Sequence, residues 1–131
     1  MGNHAPMTEN EISFSIRSAI FQCFNEFGPG LLESVYEAAL AYYLTKAGLK
    51  IQRQKPLPVW VDSEKLDVGY RIDLLVEDKV IIEVKSVEFL SKVHHMQLLT
   101  YLRLTGLKLG ILVNFNSENI AKSIFRKVNN L

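Results

Sequence analysis

One cysteine, Cys23, leaves no partner for an internal disulfide and suits a reducing compartment, with the cytoplasm the expected location. Cys23 falls on the apolar side of a predicted helix, which marks a buried, inert thiol rather than a reactive one. No Cys/His zinc spacing occurs. Long apolar runs are missing too. None approaches the roughly 18–20 residues that span a bilayer, and no signal-peptide pattern opens the chain, so no membrane partner is expected. Excess basic charge is also absent. Fifteen Lys and Arg against fourteen Asp and Glu give a formal net charge of +1, without the bulk basic footprint usual in nucleic-acid binders. Low-complexity segments do not occur. The opening MGNHAPM reads as a ragged leader, so residues 1–8 are expected to be a disordered leader or tag remnant and 9–131 a single domain. The rest, 48% apolar and 22% charged, is ordinary for a globular chain with a real core.

What is present alternates between two periods. Residues 9–27 place Ile12, Ile16, Ala19, Ile20, Cys23, Phe24 and Phe27 three and four apart, which predicts an amphipathic helix. Thr8 and Glu11 form its capping box, and Gly28-Pro29-Gly30 stops it. A second helix over 31–47 carries Leu32, Val35, Tyr36, Ala39, Leu40 and Tyr43 on one stripe, with Gly48 just past its end. Residues 49–61 alternate but hold Pro56 and Pro58, so they predict an edge or broken strand. Strands follow over 66–76 and 80–87, then a helix over 92–105 ended by Gly106. The run KLGILVNF, 108–115, suits a buried central strand. A last strand is expected around 120–127. The order ααββββαββ predicts an α/β fold, a mixed β-sheet flanked by α-helices, with 92–105 as a right-handed parallel crossover.

The stretch YRIDLLVEDKVIIEVKSV, residues 70–87, places Asp73, Glu83 and Lys85 near the middle of apolar runs. Strand alternation groups Tyr70, Ile72, Leu74, Val76, Val80, Ile82 and Val84 as one apolar face. Keeping all seven together requires an odd loop at 77–79, which pairs Leu75 with Ile81 and sets Asp73 opposite Glu83. A two-residue turn at Asp78-Lys79 would set Asp73 opposite Val84 and spoil both patterns. Opposed carboxylates lie roughly 4.5–5.5 Å apart at Cβ and destabilise each other. A divalent cation removes that penalty, and Lys85 shares the face with Glu83. The ordinary alternative is a solvated hairpin face on which Arg71 and Lys85 neutralise the two acids.

Two helices bear on the choice. Glu33 flanks the apolar stripe of the second helix, either as a first-turn acid suited to the helix dipole or as a partly covered carboxylate. His94, Gln97 and Tyr101 form a polar stripe with apolar residues on both sides, which predicts a buried helix whose stripe needs partners. His95 projects elsewhere, towards the surface.

GLLESVYE, with Gly30, Glu33 and Tyr36, resembles the motif of the GxxExxY protein family, as do DLLVEDKVIIEVKSV and HHMQLLTYLRLTGLKLGILVNF. The likeness covers roughly residues 12–115. That family is assigned to the PD-(D/E)XK nuclease superfamily, so the resemblance implies a restriction-endonuclease-like fold. The superfamily signature maps onto Asp73 and Glu83-Val84-Lys85, with Ile72 where the signature has proline. Glu33 matches an early-helix acid, and Gln97 and Tyr101 match a QxxxY motif. The resemblance implies that Asp73, Glu83 and the Val84 carbonyl hold Mg²⁺ or Mn²⁺, with Glu33 bonding through water. Lys85 would serve the nucleophile or the developing charge, while Gln97, Tyr101, His94 and Arg71 would position substrate. The implied partner is nucleic acid, DNA ahead of RNA, with exonuclease and endonuclease action both open. Two other readings stand beside this one. One is a non-catalytic nuclease-fold module binding nucleic acid or a protein. The other is a structural subunit that forms a homodimer through an apolar strand.

Overall fold

The computed structural model describes residues 5–131. Of the leader expected over 1–8, residues 1–4 lie outside the described residues. Met7 packs against the core, its carbonyl accepting from Lys79 Nζ at 2.6 Å. Thr8 and Glu11 then form the expected capping box and start α1, Glu9–Phe27. Its buried face is Ile12, Ile16, Ala19, Ile20 and Cys23, the spacing that predicted the helix.

Helix α2, Glu33–Lys46, ends in a Schellman closure: Gly48, at φ +91°, donates to the Thr45 carbonyl and Leu49 to that of Leu44. Its buried face is rotated from the predicted stripe. Tyr36, Glu37, Leu40, Ala41 and Leu44 are covered, whereas Leu32 and Val35 are exposed. An acid on a buried face hides the true stripe from a pattern that counts only apolar residues.

Five strands form one sheet in the order β1 (Ile51–Val61), β2 (Glu64–Val76), β3 (Val80–Lys85), β4 (Leu109–Asn114) and β5 (Ile124–Val128). Among the described residues only β3 and β4 pair in parallel, joined by α3, Lys92–Thr105. Among the described residues three strands precede α3, not four. Pro56 and Pro58 lie within one continuous edge strand, where a missing N–H can face outward. The tail forms a short 3₁₀ turn, Ile120–Ser123, before β5.

Both faces of the sheet are covered. α1 and α2 pack on Leu74, Val76, Val80, Ile82, Val84, Ile111 and Val113. α3 packs through Leu98, Tyr101 and Leu102 on Ile72, Leu75, Ile81 and Leu112. β4 is therefore buried throughout and apolar up to Asn114. Gly110 lets α3 approach closely, because a Cβ there would lie 2.7 Å from Leu98 Cδ1. α3 itself is not buried all round, since Val93, Met96 and Leu104 face solvent. One covered face is enough to dock it on a single sheet.

The apolar face of seven is likewise corrected. Tyr70 and Ile72 lie on the α3 side, Tyr70 against Tyr101 with ring centroids 5.2 Å apart. The other five remain on the α1/α2 side. The change of face falls at Asp73. There Gln54, at φ +51°, drops out of the β1–β2 ladder between Arg53↔Leu74 and Lys55↔Ile72. Beyond this point β2 has only β1 as a neighbour, so residues 55–72 project as a two-stranded arm, of which residues 60–71 are exposed throughout. Leu66, Asp67 and Val68 bulge opposite Val59, and Gly69 passes Leu57 where a Cβ would meet its carbonyl at 2.8 Å.

Candidate active site

The β2–β3 hairpin has the predicted register: Val76↔Val80, Leu75↔Ile81 and Leu74↔Ile82, closed by residues 77–79. Glu77 and Asp78 take φ of 54° and 56° in the loop. The next pair in register is Asp73 and Glu83, and here the ladder ends and side chains replace it. The Asp73 amide donates to Glu83 Oε2 at 2.9 Å, and the Val84 amide donates to Asp73 Oδ2 at 2.8 Å. Each carboxylate thus bonds across to the other strand at the point where the strands part.

Burial makes this costly. Glu83 is 4% exposed and Asp73 half-buried. Burial first, and then the Asp73 charge, push the Glu83 carboxyl up to about 8, against the pull of the Asp73 amide and Lys85. Burial also raises Asp73, opposed by the Val84 amide, Lys85 and Gln54 and reinforced by Glu33. Lys85 is therefore close enough to be felt by both acids. Yet among the described residues the ion pairs are Lys50–Asp78 and Arg53–Glu37, and neither Arg71 nor Lys85 closes one on the acid pair. Lys85 thus acts on the acids through its charge and not through a closed ion pair.

Glu33 reaches this region from the first turn of α2, held by the loop before it. Tyr36 Oη donates to the Gly28 carbonyl at 2.5 Å and accepts from the Leu31 amide at 3.2 Å. The Tyr36 ring stacks on Phe115 at 4.2 Å, and Ser86 Oγ donates to the Leu31 carbonyl at 2.7 Å. The glycine-glutamate-tyrosine spacing thus has a structural content: Gly30 turns at φ +101°, Tyr36 anchors the turn, and Glu33 is presented between them. Past Lys85, buried Asn114 clamps the chain. Its Nδ2 donates to the Val87 carbonyl at 2.9 Å and its Oδ1 accepts from the Val87 amide at 3.0 Å.

From α3, Tyr101 is buried, and its hydroxyl is raised by burial and then by the charges of Glu83 and Asp73. Gln97 is half-buried and borders a shallow depression with Tyr70, Val93, Met96 and Thr100. His94 serves the helix: its Nδ1 accepts from the Ser91 amide at 3.1 Å. Arg71 is exposed on the arm, between Tyr70 and Ile72, which face α3, so alternation turns it away from that side. His95 is not the surface residue expected. It packs edge-on against Phe125 at 4.9 Å, with Nδ1 buried and lacking a hydrogen-bond partner among the described residues.

Pattern reading passed over three residues. Glu37, one turn after Glu33, is buried and accepts from Arg53 and from Gln54, and Gln54 also donates to Asp73. The four-residue spacing of Glu33 and Glu37 was the available signal, because it places them on one helix face.

Over residues 10–127 the chain matches the family described as the PD-(D/E)XK nuclease superfamily. The chain belongs to the PD-(D/E)XK nuclease superfamily. Its five-stranded mixed sheet flanked by helices is the restriction-endonuclease-like architecture of that superfamily, whose members typically use divalent metal ions and act on nucleic acid. No curated protein and no solved structure matches the chain. Among the described residues no helix is long and apolar enough to cross a membrane.

The donor set fits a hard cation of the kind the superfamily employs. Among the described residues no three His, Cys, Asp or Glu side chains form a ready-made cage. Two carboxylates with remaining oxygen positions left to water or substrate are instead the usual protein share of an Mg²⁺ site. The repulsion between Asp73 and Glu83 is what such an ion relieves.

Proposed function

We propose that this superfamily member is a metal-dependent nuclease of the GxxExxY type that hydrolyses phosphodiester bonds in DNA. The observation that carries the proposal is the acid pair: a buried and a half-buried carboxylate bonded across parting strands, raised by burial and with no ion-pair partner among the described residues. Structural networks pair such charges, whereas functional sites hold them ready for a ligand.

In this reading Asp73, Glu83 and the carbonyl of Val84 would hold Mg²⁺ or Mn²⁺, with Glu33 as a further acid that would bond to it through water. When bound, the ion supplies positive charge that polarises the scissile phosphate and lowers the pKa of water. Lys85 offers three N–H donors from a flexible stem beside the acids and steadies the attacking oxygen or the negative charge that grows on the phosphate. Tyr101 is a hydroxyl donor at the acid pair. Gln97, with Tyr70 and Met96 beside it, borders the depression in which the strand lies. His94, committed through Nδ1 to its helix cap, retains one ring nitrogen for substrate. Arg71 contributes from the arm by long-range attraction to phosphate.

The arm favours a second, non-catalytic reading. It exposes Trp60, Val61 and Val68. Over residues 55–71 Lys55, Lys65 and Arg71 are offset by Asp62, Glu64 and Asp67, which suits an apolar protein partner or a second copy better than a polyanion. Incubation with Mn²⁺ and end-labelled single- and double-stranded DNA separates the two. Cleavage that disappears in Lys85→Ala supports the nuclease. DNA that is retarded but intact supports a binding module, and DNA neither cut nor retarded leaves the protein-partner form of that module.

A further inference from the structure

Arg53 and Gln54 are neighbours in β1, so a regular strand would aim them at opposite faces. Both nevertheless reach one carboxylate. Arg53 Nε and Nη2 donate to Glu37 Oε2 at 3.2 and 3.0 Å, and Gln54 Nε2 donates to Glu37 Oε1 at 2.5 Å. The cause is the backbone of Gln54, whose φ of +51° lies in the left-handed region that side chains with a Cβ rarely adopt. The same rotation brings Gln54 Nε2 to Asp73 Oδ1 at 3.3 Å. A primary amide carries two donor hydrogens, and this one directs both at carboxylates. Asp73 Oδ2 already accepts from the Val84 amide, so both oxygens of Asp73 are held. Glu37, 5% exposed, anchors the arrangement from α2.

Resting on the reading of Asp73 as a cation ligand, we infer that Gln54 is the positioning residue of the acid pair. Held by Glu37, which Arg53 anchors in turn, it fixes the plane in which the Asp73 carboxylate meets a divalent ion. An amide suits the place because it donates without carrying charge. Lys or Arg there would neutralise Asp73 and repel the cation.

The experiment compares wild type, Gln54→Gly, and Gln54→Gly combined with Glu37→Gln. Each is titrated calorimetrically with Mn²⁺ and unfolded thermally in EDTA. Glycine accepts the left-handed conformation freely, which offsets the two hydrogen bonds lost with the amide, so Gln54→Gly is expected to stay folded with a melting temperature within several degrees of wild type. Its Mn²⁺ affinity falls about tenfold, within the roughly 10–100-fold lost when outer partners of metal ligands are removed. Adding Glu37→Gln lowers affinity no further, because Glu37 acts through Gln54. Should the glycine variant fail to fold, Gln54→Asn replaces it, as asparagine tolerates the left-handed region but is one methylene short of the two acids. A folded Gln54 variant that binds Mn²⁺ within twofold of wild type overturns the inference and leaves the nuclease reading standing. Wild-type protein that takes up no Mn²⁺ overturns both.

Discussion

Glu83→Gln removes one charge from the acid pair and keeps an oxygen to accept from the Asp73 amide, so it isolates the electrostatic cost of the site. In the folded chain the Glu83 carboxyl titrates at about 8 against an ordinary 4.5, chiefly through burial and then through Asp73. A folded pKa above the unfolded one means that the folded state holds the proton more tightly. Its stabilising contribution is therefore whole below the unfolded value and is lost as pH rises through the folded one. Within that window each pH unit costs at most about 1.4 kcal/mol, and the full interval has a ceiling of roughly 5 kcal/mol. Half of that ceiling moves the melting temperature of a domain this size by roughly 10 °C. His95, lowered by burial and by Lys127, contributes the opposite slope near neutrality, so the difference between variant and wild type is the informative quantity. Thermal unfolding in EDTA at pH 5 and pH 8 measures it. The wild type is expected to lose several degrees more than Glu83→Gln between the two, leaving the variant the more stable at pH 8. Saturating Mn²⁺ at pH 8 then raises the wild type and not the variant. Parallel pH profiles for the two proteins would refute the reasoning.

Tyr36→Phe removes the hydroxyl that bridges Leu31 and Gly28, costs about 1 kcal/mol in urea unfolding, and lowers Mn²⁺ affinity by loosening the loop that carries Glu33. Gly110→Ala forces a methyl into Leu98 and costs about 1–3 kcal/mol; the double variant with Leu98→Ala is less unstable than the sum of the two single variants. Cys23 is fully buried, with its thiol pushed up to about 12, so it resists an aromatic disulfide reagent at pH 8 until denaturant unfolds the chain.

The sequence was most legible where a single period ran uninterrupted. Helix α1 and the register of the β2–β3 loop followed from apolar spacing, because one slip would have turned buried side chains into water, and α3 from a run free of Gly and Pro that ends at Gly106. Legibility failed where a polar group is buried by pairing or where the backbone leaves its period. Glu37 disguised the covered face of α2, since no apolar count includes an acid satisfied by Arg53 and Gln54. Gln54 carries no local mark of a positive φ, so the change of face at Asp73 was invisible and Tyr70 and Ile72 were assigned to the wrong side. The juxtaposition of Asp73 with Glu83 could be read from pattern. The hydrogen bonds that hold their carboxylates in place could not, because they form where the ladder stops.

The central claim is that Asp73 and Glu83 together hold one divalent cation. A crystal soaked in Mn²⁺ and measured at the manganese absorption edge tests it most directly. The account predicts one anomalous peak per chain within coordination distance of both carboxylates, absent from Asp73→Ala crystals. A soaked wild-type crystal with no peak between the two acids, or one whose peak survives in Asp73→Ala, would contradict it.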